Sequence, residues 1–385
     1  MNFKKILIFT LGFLISFSGF SQEAKDRNQE NINVNKFRQL YQEFSTPNMY
    51  RTASGAPGPA YYQQQADYKM DIELDDENKK IYGSETITYT NNSPDNLEYL
   101  WVQLDQNVRK KDSPSLLIDG SGVRPAYAPS GFTKEFLTDP FDGGFNIEYV
   151  VDENNKPLKY IVNQTMMRVD LPSVLKSGEK FSFSIKWWYN IQDHVNQDGR
   201  SGYETFDKDG NRVYIIAQFF PRMAVYNEVE GWQNYQFWGD GEFALPFGNY
   251  DVKITVPSDH ILDATGELQN RKNVFSKEML KRFNKAKKTY DKPVMIVTQA
   301  EAEEAEKGFS KKKKTWHFQA ENVRDFAFAT SRKFIWDMMA VKIGDKDVMA
   351  VSMYPKEGNP LWEDYSTVVV AETLKTYSDY TFDYP

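Results

Sequence analysis

Three histidines, His194, His260 and His317, are the chain's entire stock of imidazoles, and no cysteine accompanies them. Zinc chemistry wants about three converging protein ligands, commonly with two histidines on one helix face as in H-E-x-x-H. No two of these histidines lie within a helical turn of each other, so each reads as a structural side chain near a strand end. Nucleophilic catalysis finds no better footing. The chain has no thiol, no G-x-S-x-G elbow, and no Ser or Thr with a histidine partner nearby in sequence. Gly239–Gly241 is a turn signal and does not cradle phosphate. Carboxylates are plentiful, and Glu228, Glu230, Asp240 and Glu242 cluster in one stretch where two could serve as the acid and base of glycoside hydrolysis. Acidic residues in such loops more simply hydrogen-bond their own backbone. No catalytic residue and no metal ligand is therefore assigned.

Those carboxylates sit within Ala217–Pro257, the most distinctive stretch of the chain. It sets Trp232, Trp238 and a series of Phe and Tyr residues among Gly, Pro and acids, then runs into a strand at Tyr250–Val256. Aromatics beside Gly and Pro can line a subsite for sugars or apolar peptide side chains. Trp232, Phe237 and Trp238 could equally plug the end of one domain against the next, and both uses stay open.

The elements that must hold this stretch are mainly strands. Tyr68, Met70, Ile72 and Leu74 alternate with polar residues, Asp75–Asn78 turns, and Ile81–Tyr89 returns in phase, which predicts a β-hairpin. Further strands are expected at Leu97–Leu104, Asn146–Val151, Lys159–Val162, Met166–Leu171, Phe181–Trp188 and Val213–Phe219. Beyond Pro257 the pattern predicts a short helix around Met279–Ala286, strands at Pro293–Thr298, Trp316–Gln319, Val323–Ala329 and Val348–Tyr354, and a helical turn at Arg332–Met339. Asn359 is placed to cap a final helix whose Leu361, Trp362, Tyr365, Val368, Val369 and Leu374 recur at helical spacing. The tetralysine Lys311–Lys314 reads as a solvated excursion, with an anion site as the rarer alternative.

Lys4 and Lys5 ahead of the apolar run Ile6–Phe17, with Gly19 and Ser21 before Gln22, match an export signal, short for a membrane span, with an uncleaved N-terminal anchor as the rarer alternative. The expected protein is periplasmic or secreted, with no stable span once the signal is removed. A net charge of −7 argues against nucleic acid as a partner. The expected organisation is a signal peptide at 1–21, a polar lead-in at 22–60, a β domain at 61–315, and from 316 to 385 the incomplete start of an α/β domain.

The order of three segments carries a family likeness: Gln218–Tyr226 within AQFFPRMAVY, Phe247–Pro257, and Asn322–Ser331. Together they resemble the zinc aminopeptidases of the gluzincin family, which includes alanyl aminopeptidases and leukotriene hydrolases. The likeness covers roughly Tyr61 to Pro385. It implies a mostly β fold with a partial α/β domain: a β-saddle or sandwich, followed by the opening strands and first helix of a thermolysin-like catalytic domain. It also implies zinc as the cofactor of the full-length enzyme, peptides as substrate, and a zinc motif beyond Pro385, so that this chain alone is expected to be inactive. Gln218 falls where the family lines the first side-chain pocket. Phe220 stands where many members place a Glu that binds the free α-amine. Arg222 and Tyr226 complete the substrate-binding residues that the likeness implies. A β-rich glycan- or peptide-binding module without catalysis is the alternative.

Overall fold

Alternation governs the first hairpin. Strand β1 (Gln65–Asp75) buries Ala66, Tyr68, Met70, Ile72 and Leu74, and β2 (Lys80–Thr90) buries Ile81, Gly83, Glu85, Ile87 and Tyr89 on the same face. The structure is a computed structural model, and it describes residues 47–118, 126–133, 137, 141–197, 199–239, 241 and 244–385. The export signal and the candidates Asp240 and Glu242 lie outside the described residues. The described part of the lead-in, 47–61, belongs to a unit of its own, in which the Arg51 guanidinium lies over the Tyr61 ring.

The second unit, Tyr62–Pro385, is mostly β. After the hairpin come β3 (Leu97–Gln103), β4 (Asn146–Asp152), β5 (Tyr160–Asn163), β6 (Met166–Leu175) and β7 (Lys180–Asn190). The aromatic stretch is bracketed by β8 (Gly202–Phe206), β9 (Asn211–Ile216), β10 (Arg222–Met223), β11 (Tyr226–Asn227), β12 (Gly231–Trp232) and β13 (Gly248–Pro257). The remainder holds β14 (Ile261–Ala264), β15 (Glu267–Leu268), β16 (Val294–Val297), β17 (Lys313–Val323), β18 (Phe328–Ser331), β19 (Ile335–Ile343) and β20 (Lys346–Tyr354).

A seven-stranded sheet in the order β15-β17-β13-β1-β2-β7-β4 is the frame. Every pairing in it is antiparallel except β1 with β13, which run parallel with Tyr68 beside Tyr250. Its buried face shares one apolar cluster with a four-stranded sheet, β10-β3-β6-β5, through Leu100, Val102, Met167 and Val169. This sheet-on-sheet arrangement is the mostly β fold expected from the sequence. Further sheets are β14-β18-β9-β8 and β16-β19-β20. Position 316, where the sequence reading opens a second domain, falls inside β17 of the large sheet.

Three longer helices accompany the sheets. Helix α1 (Lys277–Ala286) is capped by Ser276, whose hydroxyl accepts from the Met279 N–H. Helix α2 (Gln299–Ala305) has a reciprocal cap between Thr298 and Glu301, so the acidic run there is an ordered turn of helix. Helix α3 (Leu361–Tyr380) lies on β19 and β20.

Three local expectations need correction. Arg332–Met339 is not helical: β19 begins at Ile335, and its near-continuous burial removes the alternation that would have marked a strand. Asn359 does not cap α3, since its side-chain amide donates instead to Gln299 and Glu363. The seam of α3 is also rotated. Thr367, Val370, Ala371 and Leu374 meet the sheet, while Leu361, Trp362, Tyr365, Val368 and Val369 are exposed. The tetralysine, by contrast, is tied down. Lys311 and Lys313 pair with Glu77 and Glu73, and Lys314 sits over the Trp316 ring, with burial drawing its pKa down to about 8.

Candidate functional site

Strand β9 ends at Ile216, and the chain then turns sharply at Gln218, whose φ of 52° is left-handed for a non-glycine residue. This turn throws Phe219 and Phe220 inward. Phe220 meets the Tyr68 ring edge-on at 5.4 Å and Tyr250 at 6.1 Å, while Phe219 meets Phe328 at 5.2 Å. The structure thus places Phe220 in the core, fully buried, rather than on an accessible wall. Gln218 stays half-buried at the surface of the turn. Among the described residues its side-chain amide has no hydrogen-bond partner, while its backbone carbonyl accepts from Gln106 Nε2 at 2.9 Å.

Arg222 is held behind this turn. Its backbone pairs with Gln103, and its guanidinium donates to Asp105 through Nε at 3.2 Å and Nη2 at 2.8 Å, and to Asp325 through Nη1 at 2.6 Å. Burial opposes the Arg222 charge, but the two carboxylates outweigh it and hold the guanidinium above its usual pKa. With three of its donors spent in ion pairs and its side chain 6 % exposed, Arg222 is a girder of the site rather than a ligand-facing group. The neighbouring Met223 N–H donates to the Tyr68 hydroxyl, and Tyr68 stacks on Tyr250 at 4.7 Å. Burial pushes the Tyr68 phenol above its usual range, so it stays neutral.

Tyr226 opens the small β11–β12 hairpin opposite Trp232 and meets that ring edge-on at 5.2 Å. Its hydroxyl donates to Asp95 at 2.7 Å, and burial together with that carboxylate pushes its pKa up to about 12. The aromatic segment beyond it folds back on the turn between β5 and β6. Gln236 Oε1 accepts from the Thr165 N–H and hydroxyl, and the Phe237 N–H donates to Thr165 Oγ1. Trp232 rests near Tyr89 at 6.0 Å, and Phe237 is buried. Of the three residues considered as a stacking platform, Trp238 alone is neither buried nor seated in a described ring contact. Glu230 accepts from Tyr235, and the turn at 227–230 is closed by the Asn227 side chain.

The histidines remain apart. His194 is paired with Glu204 and His317 with Asp251. His260 is buried beside Thr330; since the Thr330 hydroxyl donates to the Ile261 carbonyl, His260 Nδ1 must be the donor to Thr330 Oγ1. Burial, then the positive charge of Arg332, pull its pKa down to about 3. Among the described residues no group of three or more His, Asp or Glu side chains is placed to hold a metal ion. Zinc therefore has no fit there.

The structure brings Gln218, Phe220 and Arg222 into one turn, with Gln218 outward and the other two inward. Tyr226 stands on the adjoining hairpin. Gln106 and Asp105, which order the turn, had no signal in the sequence, because both reach it across more than a hundred residues.

No protein-family model matches the chain, and no curated protein does. Similar solved structures include an M1 zinc metallopeptidase from Deinococcus radiodurans, 13% identical over 84% of this chain and 54% of that one, with a TM-score of 0.45. Others are a point mutant of such a peptidase from the same organism bound to a Tyr-Ser-Ala substrate (12%, 84%, 55%, TM-score 0.46) and a two-domain M1 zinc metallopeptidase mutant bound to L-tryptophan (12%, 86%, 56%, TM-score 0.46). The chain spans about half the length of these structures.

Proposed function

We propose that the chain is the N-terminal portion of an exported zinc metallopeptidase that cleaves residues from peptide N-termini. One observation carries the reading. The three sequence segments that resemble the gluzincin aminopeptidases, Gln218–Tyr226, Phe247–Pro257 and Asn322–Ser331, converge on a single knot. Arg222 is bonded to Asp325, Phe220 packs on Tyr250, and Tyr250 stacks on Phe326 at 5.9 Å. Motif segments that matched by accident would have no reason to buttress one another in this way.

In this reading the chain contributes a wall to the substrate cleft. Gln218 lines the pocket for the first side chain, while Arg222 and Phe220 fix the turn that presents it. Since position 220 is an inward phenylalanine, the free amine of the peptide must find its carboxylate elsewhere. Zinc would be held, and would supply its Lewis acidity, outside the described residues. The exposed apolar side of α3, with Trp362, Tyr365 and Val369, supports further polypeptide packing there. Export rests on the leader-like residues 1–21. The glycan-binding alternative is weakened because Trp232 and Phe237 are spent on packing.

The test is expression of the longest open reading frame that contains this chain. It should bind zinc and hydrolyse peptides with free N-termini faster than N-acetylated ones, and the present chain alone should do neither. Absence of H-E-x-x-H from the next ~150 residues, about one more domain, or equal rates on blocked and free peptides, would overturn the proposal.

A further inference from the structure

We propose that Arg109, with Gln106 and Gln218, forms a subsite for a carboxylate group of the peptide. Arg109 closes the short turn Asp105–Arg109 that follows β3. It is half-buried, yet among the described residues no carboxylate lies within ion-pair distance of it. Among the described residues the guanidinium makes one hydrogen bond, a long one from Nη1 to Gln106 Oε1 at 3.4 Å. The nearest acid along the chain, Asp105, is committed to Arg222.

A guanidinium partly withdrawn from water without a counter-ion is costly to keep. Burial draws the Arg109 pKa below its usual value, and only Tyr189 and the engaged Asp105 act against that. The planar fork of Arg has five donors and suits two-point recognition of a carboxylate. Among the described residues most of those donors have no partner.

The surroundings hold the fork in place. Gln106 is 4 % exposed, and its Nε2 is committed to the Gln218 carbonyl, so its Oε1 is turned to Arg109. One side-chain amide therefore links the guanidinium to the strained turn. Gln218 keeps left-handed geometry without being glycine, a conformation that is costly and clusters at ligand sites. Its uncommitted amide can donate to a carboxylate held by Arg109. Beside the guanidinium stands Gly199, with φ of 108°; a Cβ there would come within 3.1 Å of Arg109 Nη2 and 2.8 Å of Gln192 Nε2. The Gly199 backbone thus packs closely beside the fork.

The carboxylate could be an acidic side chain or the C-terminus of a short peptide, and the experiment separates them. The inference rests on the peptide-binding reading. The purified chain is titrated calorimetrically with tri-alanine, tri-alanine amide and Ala-Glu-Ala amide. At least one of the two carboxylate peptides should bind about tenfold or more tighter than tri-alanine amide, the gain of one charge-assisted contact. Tri-alanine alone gaining affinity identifies the C-terminus, and Ala-Glu-Ala amide alone identifies the side chain. In Arg109→Gln the advantage should fall within about twofold, and in Arg109→Lys part of it should persist. Gln218→Met supplies a second variant should Arg109→Gln fail to fold, and it too should narrow the advantage. If tri-alanine amide binds as tightly as both others, the subsite is refuted while peptide binding stands. If no peptide binds, the subsite is refuted, while the peptidase reading is decided on the longer reading frame.

Discussion

Glu85 invites the sharpest test of the energetics. It sits on the core face of β2, opposite Met70 of β1 and Ile185 of β7, and is 2 % exposed. Neither carboxyl oxygen has a hydrogen-bond partner among the described residues. Burial raises its pKa well above the ordinary carboxylate range, and Tyr68 and Tyr250 lie close enough to feel any charge on it. The folded protein therefore holds a proton that the unfolded chain, with a glutamate pKa of about 4.3, releases. The contribution is intact below about pH 4 and is lost as pH rises toward the folded pKa, by about 1.4 kcal/mol per pH unit. As pH rises above about 4.3 the wild type should lose stability relative to Glu85→Gln, by at most about 1.4 kcal/mol for each pH unit. His260, neutral when folded, works in the opposite sense: its folded pKa of about 3 gives stability that is lost as pH falls below about 6.5. That term is common to both proteins and cancels in the comparison. Urea unfolding at a series of pH values, followed by tryptophan fluorescence, reads the difference directly. Parallel stability curves for the two proteins would refute the neutral buried carboxyl.

Arg222→Met should cost about 3–5 kcal/mol, because it leaves Asp105 charged at 1 % side-chain exposure. Asp325→Asn, at a carboxylate 40 % exposed, should cost under about 1 kcal/mol; equal costs in urea melts would contradict this ranking. Gly248→Ala should lower the thermal midpoint severely or abolish soluble protein, since a Cβ there would stand 1.6 Å from the Ala66 carbonyl oxygen across the parallel β1–β13 seam. A near-wild-type midpoint would show that the seam can open. The double change Tyr365→Lys and Val369→Lys should reduce dye binding and self-association with little change in midpoint, because both side chains are exposed on α3. Undiminished self-association would place the sticky surface elsewhere.

Where one face of a strand is wet, the sequence showed it. The Tyr68–Leu74 and Ile81–Tyr89 alternation matches β1 and β2, and the inner face is the one the pattern named. Where both faces are dry, period 2 vanishes, as in Ile335–Val341 of β19. Helix α3 failed differently. Its large residues marked an apolar stripe, but the sheet chose the smaller Thr367 and Ala371, which allow close approach. At the candidate site, family likeness named Gln218 and Arg222, but their opposite orientations go with a left-handed backbone angle at Gln218 that composition cannot report. Gln106 and Arg109 were invisible because their meaning arises only from contacts across the fold.

The parallel pairing of β1 with β13 has a consequence in time. Asp67 and Asn249, bonded across that seam, are 182 residues apart. At about 5–20 residues per second, β1 waits roughly 10–35 s after its own synthesis before its partner exists. Throughout that interval one edge of the β1–β2 hairpin stays open, beside the apolar face of Tyr68, Met70, Ile72 and Leu74. An open edge of that kind pairs readily with a neighbouring copy. The nascent chain thus exposes a strand edge that the finished fold covers.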